Sequence, residues 1–328
     1  MRFIAFFLVR DEADILGETL ADYAGWCDEM HVLDTGSTDG TWDLVHDWAR
    51  RDKRVRPFAR EPLSANLSLR GVMFEAVRRT LRPGDWIGKC DADEIFHVPP
   101  PAFVREHVRA WEGRLYACHY DFVMTRSLAE AQERGDMPPP APGTVVERLR
   151  TYTTRNQMGM DSRWYKFRPG MRWGIDQPNP FFPGLPAQER IPVRHYRYRS
   201  VEQIRRRVAL RARMRELDGH GVHWGPHDWR SFLMDDSDPD LRTWNPGEAL
   251  PPIHDPRHLL PPSRLRRQRA LYLSGLAHVL DFTKAGWRGG LEEAVRMYGL
   301  KPGDPAYPKE SERVNERTCE REQMVPQH

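Results

Sequence analysis

The feature that most constrains this 328-residue chain is an alternation that runs through its first 125 residues. Short apolar runs that read as strands are each followed by a polar turn. After the turn comes a segment whose apolar residues recur at helical spacing. Phe3–Val9 is a continuous apolar run closed by Arg10-Asp11-Glu12. Asp14–Trp26 then places Ile15, Leu16, Leu20 and Tyr23 on one helical face. His31–Leu33 reads as the second strand. Thr38 or Asp39 caps a helix that buries Leu44, Val45 and Trp48. Val55–Phe58, the helix Leu69–Leu81 and the strand Trp86–Cys90 continue the series. This order predicts an α/β fold, a Rossmann-like, mostly parallel sheet with helices on both faces. Ligands of such sheets bind beyond the carboxyl ends of the strands. Asp11 and Glu12, Asp34 and Asp39, and Asp91 and Asp93 all fall at those ends.

Beyond the alternation the pattern changes. Residues 124–190 hold a Pro-rich stretch, Met137–Gly143, among many aromatics, and read as loops and short strands laid over the sheet. A long helix is expected from Val201, with Ser200 and Gln203 in a capping-box spacing and Gly219 ending it. Residues 262–299 suggest a helical pair. From Lys301 the tail is polar and is expected to be loosely ordered. The N-terminal apolar run has no small-residue cleavage site and stops at Arg10, which favours a strand over a leader segment. No apolar run approaches the ~20 residues of a spanning helix. The four cysteines show neither CxxC spacing nor a disulfide framework. A cytoplasmic location is the expectation, with peripheral membrane association left open.

Three constellations carry chemistry. Asp91-Ala92-Asp93 sets two carboxylates one residue apart at a strand end. Such a pair can converge on Mg²⁺ or Mn²⁺, which prefer oxygen ligands and share their shell with water and substrate phosphates. A solvated acidic turn is the plain alternative. Asp34-Thr35-Gly36-Ser37-Thr38-Asp39-Gly40-Thr41 offers carboxylates to a base or ribose, with glycines that let a backbone approach a ligand. The same residues are also what a helix-capping turn uses. The third is a block of arginine. Lys and Arg total 50 against 47 Asp and Glu, a formal charge of +3, yet 44 of those cations are Arg. Nine of them lie between Arg194 and Arg215 against one acid, Glu202, so the rest of the chain is net negative. Forked guanidinium groups suit a donor diphosphate, a lipid phosphate, an anionic surface or DNA. The run Arg205–Arg207 cannot point one way on a helix, so part of the block faces solvent.

Together, Phe6–Glu12, Val32–Thr41, Leu69–Val77 and Trp86–Phe96 resemble the family 2-like glycosyltransferases with a GT-A fold, in order and spacing. The resemblance covers about the first 125 residues. It implies a nucleotide-sugar-binding core over 1–125, acceptor-side loops and strands completing it over 126–200, a helical C-terminal region over 201–300 and the polar tail 301–328. It places Glu12, Asp34 and Asp39 near the nucleoside, Arg70 facing the donor, and Asp91 beside the ribose or sugar. Asp93, with Asp91 and His195, would form the shell of Mn²⁺ or Mg²⁺. Arg194, Arg197 and Arg199 flank His195 and are the candidates for the donor phosphates. The family's usual acidic pair before a helix is missing, which leaves the general base to Asp176, with Asp161 and Asp121 as rivals. The activity implied is metal-dependent transfer of a sugar, with inversion, from a nucleotide-diphosphate sugar to an acceptor hydroxyl. The acceptor would be a glycan, lipid, protein or modified nucleobase.

Two other classes stay in view. One is a nucleic-acid or anionic-surface binding protein on a degenerate GT-A scaffold, using the Arg194–Arg215 block. The other is a sugar nucleotidyltransferase, although neither a Gly-rich phosphate loop after the first strand nor a Walker sequence is present. Asp34-Thr35-Gly36-Ser37 also matches the aspartic-protease signature. That chemistry needs a second Asp-Thr/Ser-Gly, which the chain lacks, and an all-β fold.

Overall fold

The computed structural model describes residues 1–64, 69–153, 161–175, 177–181, 184–218, 228–250, 260–276 and 290–308. The elements run β1 (Phe3–Val9), α1 (Leu16–Ala24), β2 (Glu29–Asp34), α2 (Thr41–Arg51), β3 (Val55–Arg60), α3 (Arg70–Val77), β4 (Trp86–Cys90) and β5 (Glu94–Phe96). They continue α4 (Pro100–His107), β6 (Glu112–Phe122), α5 (Arg126–Arg134), α6 (Val145–Arg148), β7 (Thr151–Thr153), β8 (Ser162–Lys166), β9 (Leu185–Pro186) and β10 (Ile191–His195). The last are α7 (Val201–Asp218), β11 (Leu241–Thr243), α8 (Pro262–Leu273) and α9 (Leu291–Tyr298).

β1 lies at the centre of the first half because it is apolar on both faces. Its period-two alternation feeds two cores. Phe3, Ala5, Phe7 and Val9 pack on one side with α1 residues Leu16, Leu20 and Tyr23. Ile4 and Phe6 pack on the other with Val72, Met73 and Phe74 of α3 and with Trp173. Each such fully buried side chain contributes about 1.5–3 kcal/mol of apolar transfer.

The sheet order is β11-β7-β6-β8-β4-β1-β2-β3. β4, β1, β2 and β3 are parallel, as the alternation predicts. The sheet as a whole is mixed, which corrects the mostly parallel expectation. β8 runs antiparallel between β4 and β6. β10 is parallel to β6 and antiparallel to β5. The stretch 124–190 does hold the short strands expected of it, but β8 lies inside the sheet, between β4 and β6, rather than over it. β8 is only five residues long amid Pro, Gly and aromatic neighbours, too short to declare a period. Its seat beside β4 depends on Gly88. A Cβ there would stand 2.6 Å from the Trp164 ring, so only glycine lets that indole lie across the strand.

Ser200 caps α7 as expected, its Oγ accepting from the Gln203 N–H at 3.1 Å. The Gln203 carboxamide answers to Arg199 N–H at 3.3 Å, one residue earlier than a standard box. Of the tail expected to be loosely ordered, residues 309–328 lie outside the described residues, while the described part, 301–308, packs against the fold. Leu300 and Ala306 are buried against Met214 of α7. Arg10 donates to Ala306 O at 2.6 Å, and Leu300 N–H donates to Pro62 O at 2.8 Å. The first residues of the polar tail are thus packed onto the carboxyl edge of the sheet, through apolar side chains scattered among its charges.

Candidate functional site

A cavity of about 550 Å³ opens at the carboxyl ends of β1 and β4. Asp91, Ala92 and Asp93 leave β4 into its floor, and Asp11 and Glu12 leave β1 beside them. Asp161 and Arg163 enter from β8 and its approach, and His195 from the end of β10. The facing wall is α7, which presents Arg206, Arg207 and Arg211.

The two acidic turns are used differently. Asp34 is fully buried and closes its own turn, its Oδ1 accepting from Gly36 N–H at 2.8 Å and Ser37 N–H at 2.7 Å. Burial pushes its carboxyl up, more than those two N–H groups lower it. Asp39 accepts from Ala13 N–H and Thr41 N–H, both at 3.1 Å. It thereby ties the turn after β1 to the start of α2. Asp11 adds a second tie, its Oδ1 accepting from Thr38 N–H at 2.7 Å. Its own backbone is left-handed, at φ 54°, a conformation that the ties to Thr38 and Ser37 hold in place. Neither Asp34 nor Asp39 is among the described residues that line the cavity.

Asp91 and Asp93 do line it. Asp91 is gripped at both oxygens, Oδ1 by Arg70 and Oδ2 by Arg163 at 2.9 Å. Those cations outweigh burial and hold its carboxyl below the usual range. Arg70 sits fully buried at the start of α3, donating also to Cys90 O at 2.8 Å and Phe6 O at 3.2 Å. Asp93 Oδ2 lies 3.1 Å from Arg207 and 3.7 Å from His195 Nε2. Burial would raise the Asp93 carboxyl, but His195 and Arg207 hold it well below its ordinary value. The His195 ring is fixed from behind by Asp121, Nδ1 to Oδ1 at 2.8 Å. Burial opposes its charge, yet Asp93 and Asp121 lift the imidazole to about 9. Glu12 is lifted to about 7 by burial, against the pull of Arg199 and Arg207.

The arginines separate into two groups. Arg197 lines the cavity beside Tyr198. Arg194 lies elsewhere, stacked 4.9 Å from the Trp244 ring. Arg199 is fully buried and bridges Glu12 at 2.6 Å and Asp14 at 2.7 Å, locking the end of β1 to the end of β10. Of the three arginines expected at donor phosphates, one reaches the cavity. The residues that sequence reasoning passed over there are Arg163 and the α7 side chains. Arg207, Leu210, Arg211 and Met214 fall at i, i+3, i+4 and i+7, one helical face, and that spacing was available as a signal. Asp161 lines the cavity and is held well down by Arg163 and Lys89 against burial. Asp121 serves His195. Asp176 lies outside the described residues.

Among the described residues no group of three or more His, Cys, Asp and Glu converges as a metal cage. Asp91 has both oxygens committed to guanidinium groups. Asp93 Oδ2 and His195 Nε2 do face each other, and the carboxylate behind His195 is the partner that metal-ligating imidazoles characteristically have. This pair would suit a divalent cation whose remaining positions are taken by water and ligand phosphates only once His195 has lost its proton and Arg207, which donates to the same Asp93 Oδ2 at 3.1 Å, has given way.

No protein-family model and no curated protein matches the chain. Among solved structures it is similar to the crystal structure of residues 1–349 of S. aureus TarS, at 14% identity and a TM-score of 0.31, over 68% of each chain. Among the described residues no helix is long and apolar enough to cross a membrane.

Proposed function

We propose that the protein is a metal-dependent glycosyltransferase. It would move a sugar from a nucleotide-diphosphate sugar to an acceptor hydroxyl, with inversion. One observation carries this reading. Asp93 and His195 face a cavity whose opposite wall is the arginine face of α7, so cation ligands and phosphate-binding groups share one space. Arg197, Arg206 and Arg211 give that space an affinity for a polyanion beyond what its acids offset. Asp91, steadied by Arg70 and Arg163, keeps lone pairs for ribose or sugar hydroxyls. Asp93 and His195 would hold Mn²⁺ or Mg²⁺, which supplies Lewis-acid stabilisation of the departing diphosphate. Asp161 is the rival base that lines the cavity, and its strongly lowered basicity suits it better to positioning than to proton removal.

The nucleic-acid reading asks the Arg194–Arg215 block to face outward. Arg199 and Arg207 are instead engaged with Glu12, Asp14 and Asp93, which favours the transferase. A thermal-shift screen of nucleoside diphosphates with and without Mn²⁺, followed by a transfer assay with EDTA, tests it. Mn²⁺-dependent stabilisation by one nucleoside diphosphate is expected. Turnover that survives both EDTA and Asp93→Ala would sink the metal role.

A further inference from the structure

Four of the nine arginines between Arg194 and Arg215 line the cavity, and a second arginine-bearing helix faces solvent. α8 carries Arg264, Arg266, Arg267 and Arg269 and no acid. Its inner side is pinned to the start of β6. Leu265 is buried, Gln268 meets the Tyr116 hydroxyl at 3.0 Å, and Arg269 pairs with the buried Glu112 at 2.8 Å. The outer side is left with Arg264, Arg266 and Arg267 exposed. It ends in Leu273, 74% exposed, and Leu276, 48% exposed, lies just beyond. Trp111 is 59% exposed and is linked to the same helix through Arg168. Arg168 joins them, donating to Trp111 O at 3.4 Å and bonding the Tyr272 hydroxyl. Arg109 stands 5.8 Å over the Trp111 ring.

Two strongly exposed apolar side chains, Leu273 and Leu276, therefore lie at the end of a helix whose exposed face carries three arginines and no acid, and a third, Trp111, is linked to that helix through Arg168. An indole, two leucines and unpaired basic charge are what a lipid–water interface selects. The ring and the aliphatic groups enter the headgroup region, while the arginines meet anionic lipids. A soluble acidic protein would satisfy the charge and leave Trp111 and Leu273 in water. The geometry points to this face as a docking surface for an anionic phospholipid bilayer. β6 begins at this surface and carries Asp121 near its other end, about 30 Å along the strand. Docking here leaves the cavity open, so the inference stands apart from the activity proposed above.

Co-sedimentation of the full chain with vesicles tests it. Vesicles of phosphatidylcholine plus phosphatidylserine should bind the protein, and phosphatidylcholine alone should bind it much less. Each arginine is expected to contribute about fivefold, so Arg264→Gln/Arg266→Gln/Arg267→Gln should weaken binding about a hundredfold. The same three changes at Arg51, Arg79 and Arg126 should leave it within a few-fold. Trp111→Ala should weaken it about tenfold in a part that added salt does not remove. Unchanged thermal melting in the variants separates these effects from misfolding. Three results overturn the inference: no preference for phosphatidylserine, equal loss in the control variant, or a dimer in solution that Trp111→Ala dissolves while vesicles go unbound.

Discussion

The turns after β2 and β4 look alike in sequence, acids among small residues at the end of a buried strand. They do opposite things. Asp34 gives one oxygen to two N–H groups of its own turn, while its buried Oδ2 has no hydrogen-bond partner among the described residues; Asp39 accepts from N–H groups of its own and the neighbouring turn. Asp91 and Asp93 meet guanidinium and imidazole groups from other elements and face a cavity. What separates them is the supply of backbone donors. A turn with Gly36 at φ 105° folds back on itself and offers two N–H groups to Asp34. The 91–94 turn runs straight into β5, so its carboxylates are left for partners elsewhere. An acidic turn is thus open to partners from other elements only where its own backbone does not consume it.

Substitutions in each turn put that contrast to the test. The largest effect is expected at Asp93. Asp93→Ala should lower transfer activity by about 10³-fold or more and abolish its response to Mn²⁺, beyond a stability cost of about 3–5 kcal/mol from leaving His195 and Arg207 without their buried counter-charge. Activity per folded protein and metal titration measured together check this. Asp34→Ala should leave the activity of the folded fraction in place, costing about 2–4 kcal/mol in denaturant unfolding because two buried N–H groups lose their acceptor. If it removes activity without touching stability, Asp34 faces ligand and the contrast fails. Asp121→Asn keeps the shape but weakens the hold on His195, so metal affinity should fall about 10–100-fold while donor binding without metal is unchanged.

A smaller effect separates two histidines. His195 is held charged between two acids, whereas His97 is held neutral. Partial burial, with help from Arg194, lowers His97 to about 4, and its Nε2 accepts from Leu250 N–H at 3.2 Å. A histidine lowered on folding contributes stability that is complete above its unfolded value, near 6.5, and is lost as pH falls toward 4. After allowance for solvent screening this amounts to on the order of 1–2 kcal/mol. His97→Gln should flatten that part of the stability profile in urea melts taken across the range.

The sequence made the parallel half of the sheet legible because β1, β2 and β4 are apolar runs each closed by a turn and separated by segments of helical spacing. It also brought Asp93 and His195 forward, a pair more than 100 residues apart that the structure sets 3.7 Å from each other. It missed Arg163 because β8 has no readable period, and of Arg194, Arg197 and Arg199 only Arg197 lines the cavity, where the arginines of α7 join it. Arg199 is drawn inward by Glu12 and Asp14, while the contribution of α7 depends on its helical phase against the sheet. Composition could place the arginines along the chain. Which of them turn toward acids is decided by packing.

β8 and α7 have a consequence for how the protein comes into being. Asp91 waits for Arg163, Asp93 for His195 and Arg207, and Glu12 for Arg199, 187 positions further along the chain. A nascent chain leaves the ribosome at ~5–20 residues per second, so Glu12 and Asp93 stand without these partners for on the order of ten seconds, while Asp91 already has Arg70. Through that interval the acids are left to solvent cations, and the cavity closes only once α7 and Phe232 have emerged, ahead of α8 and α9.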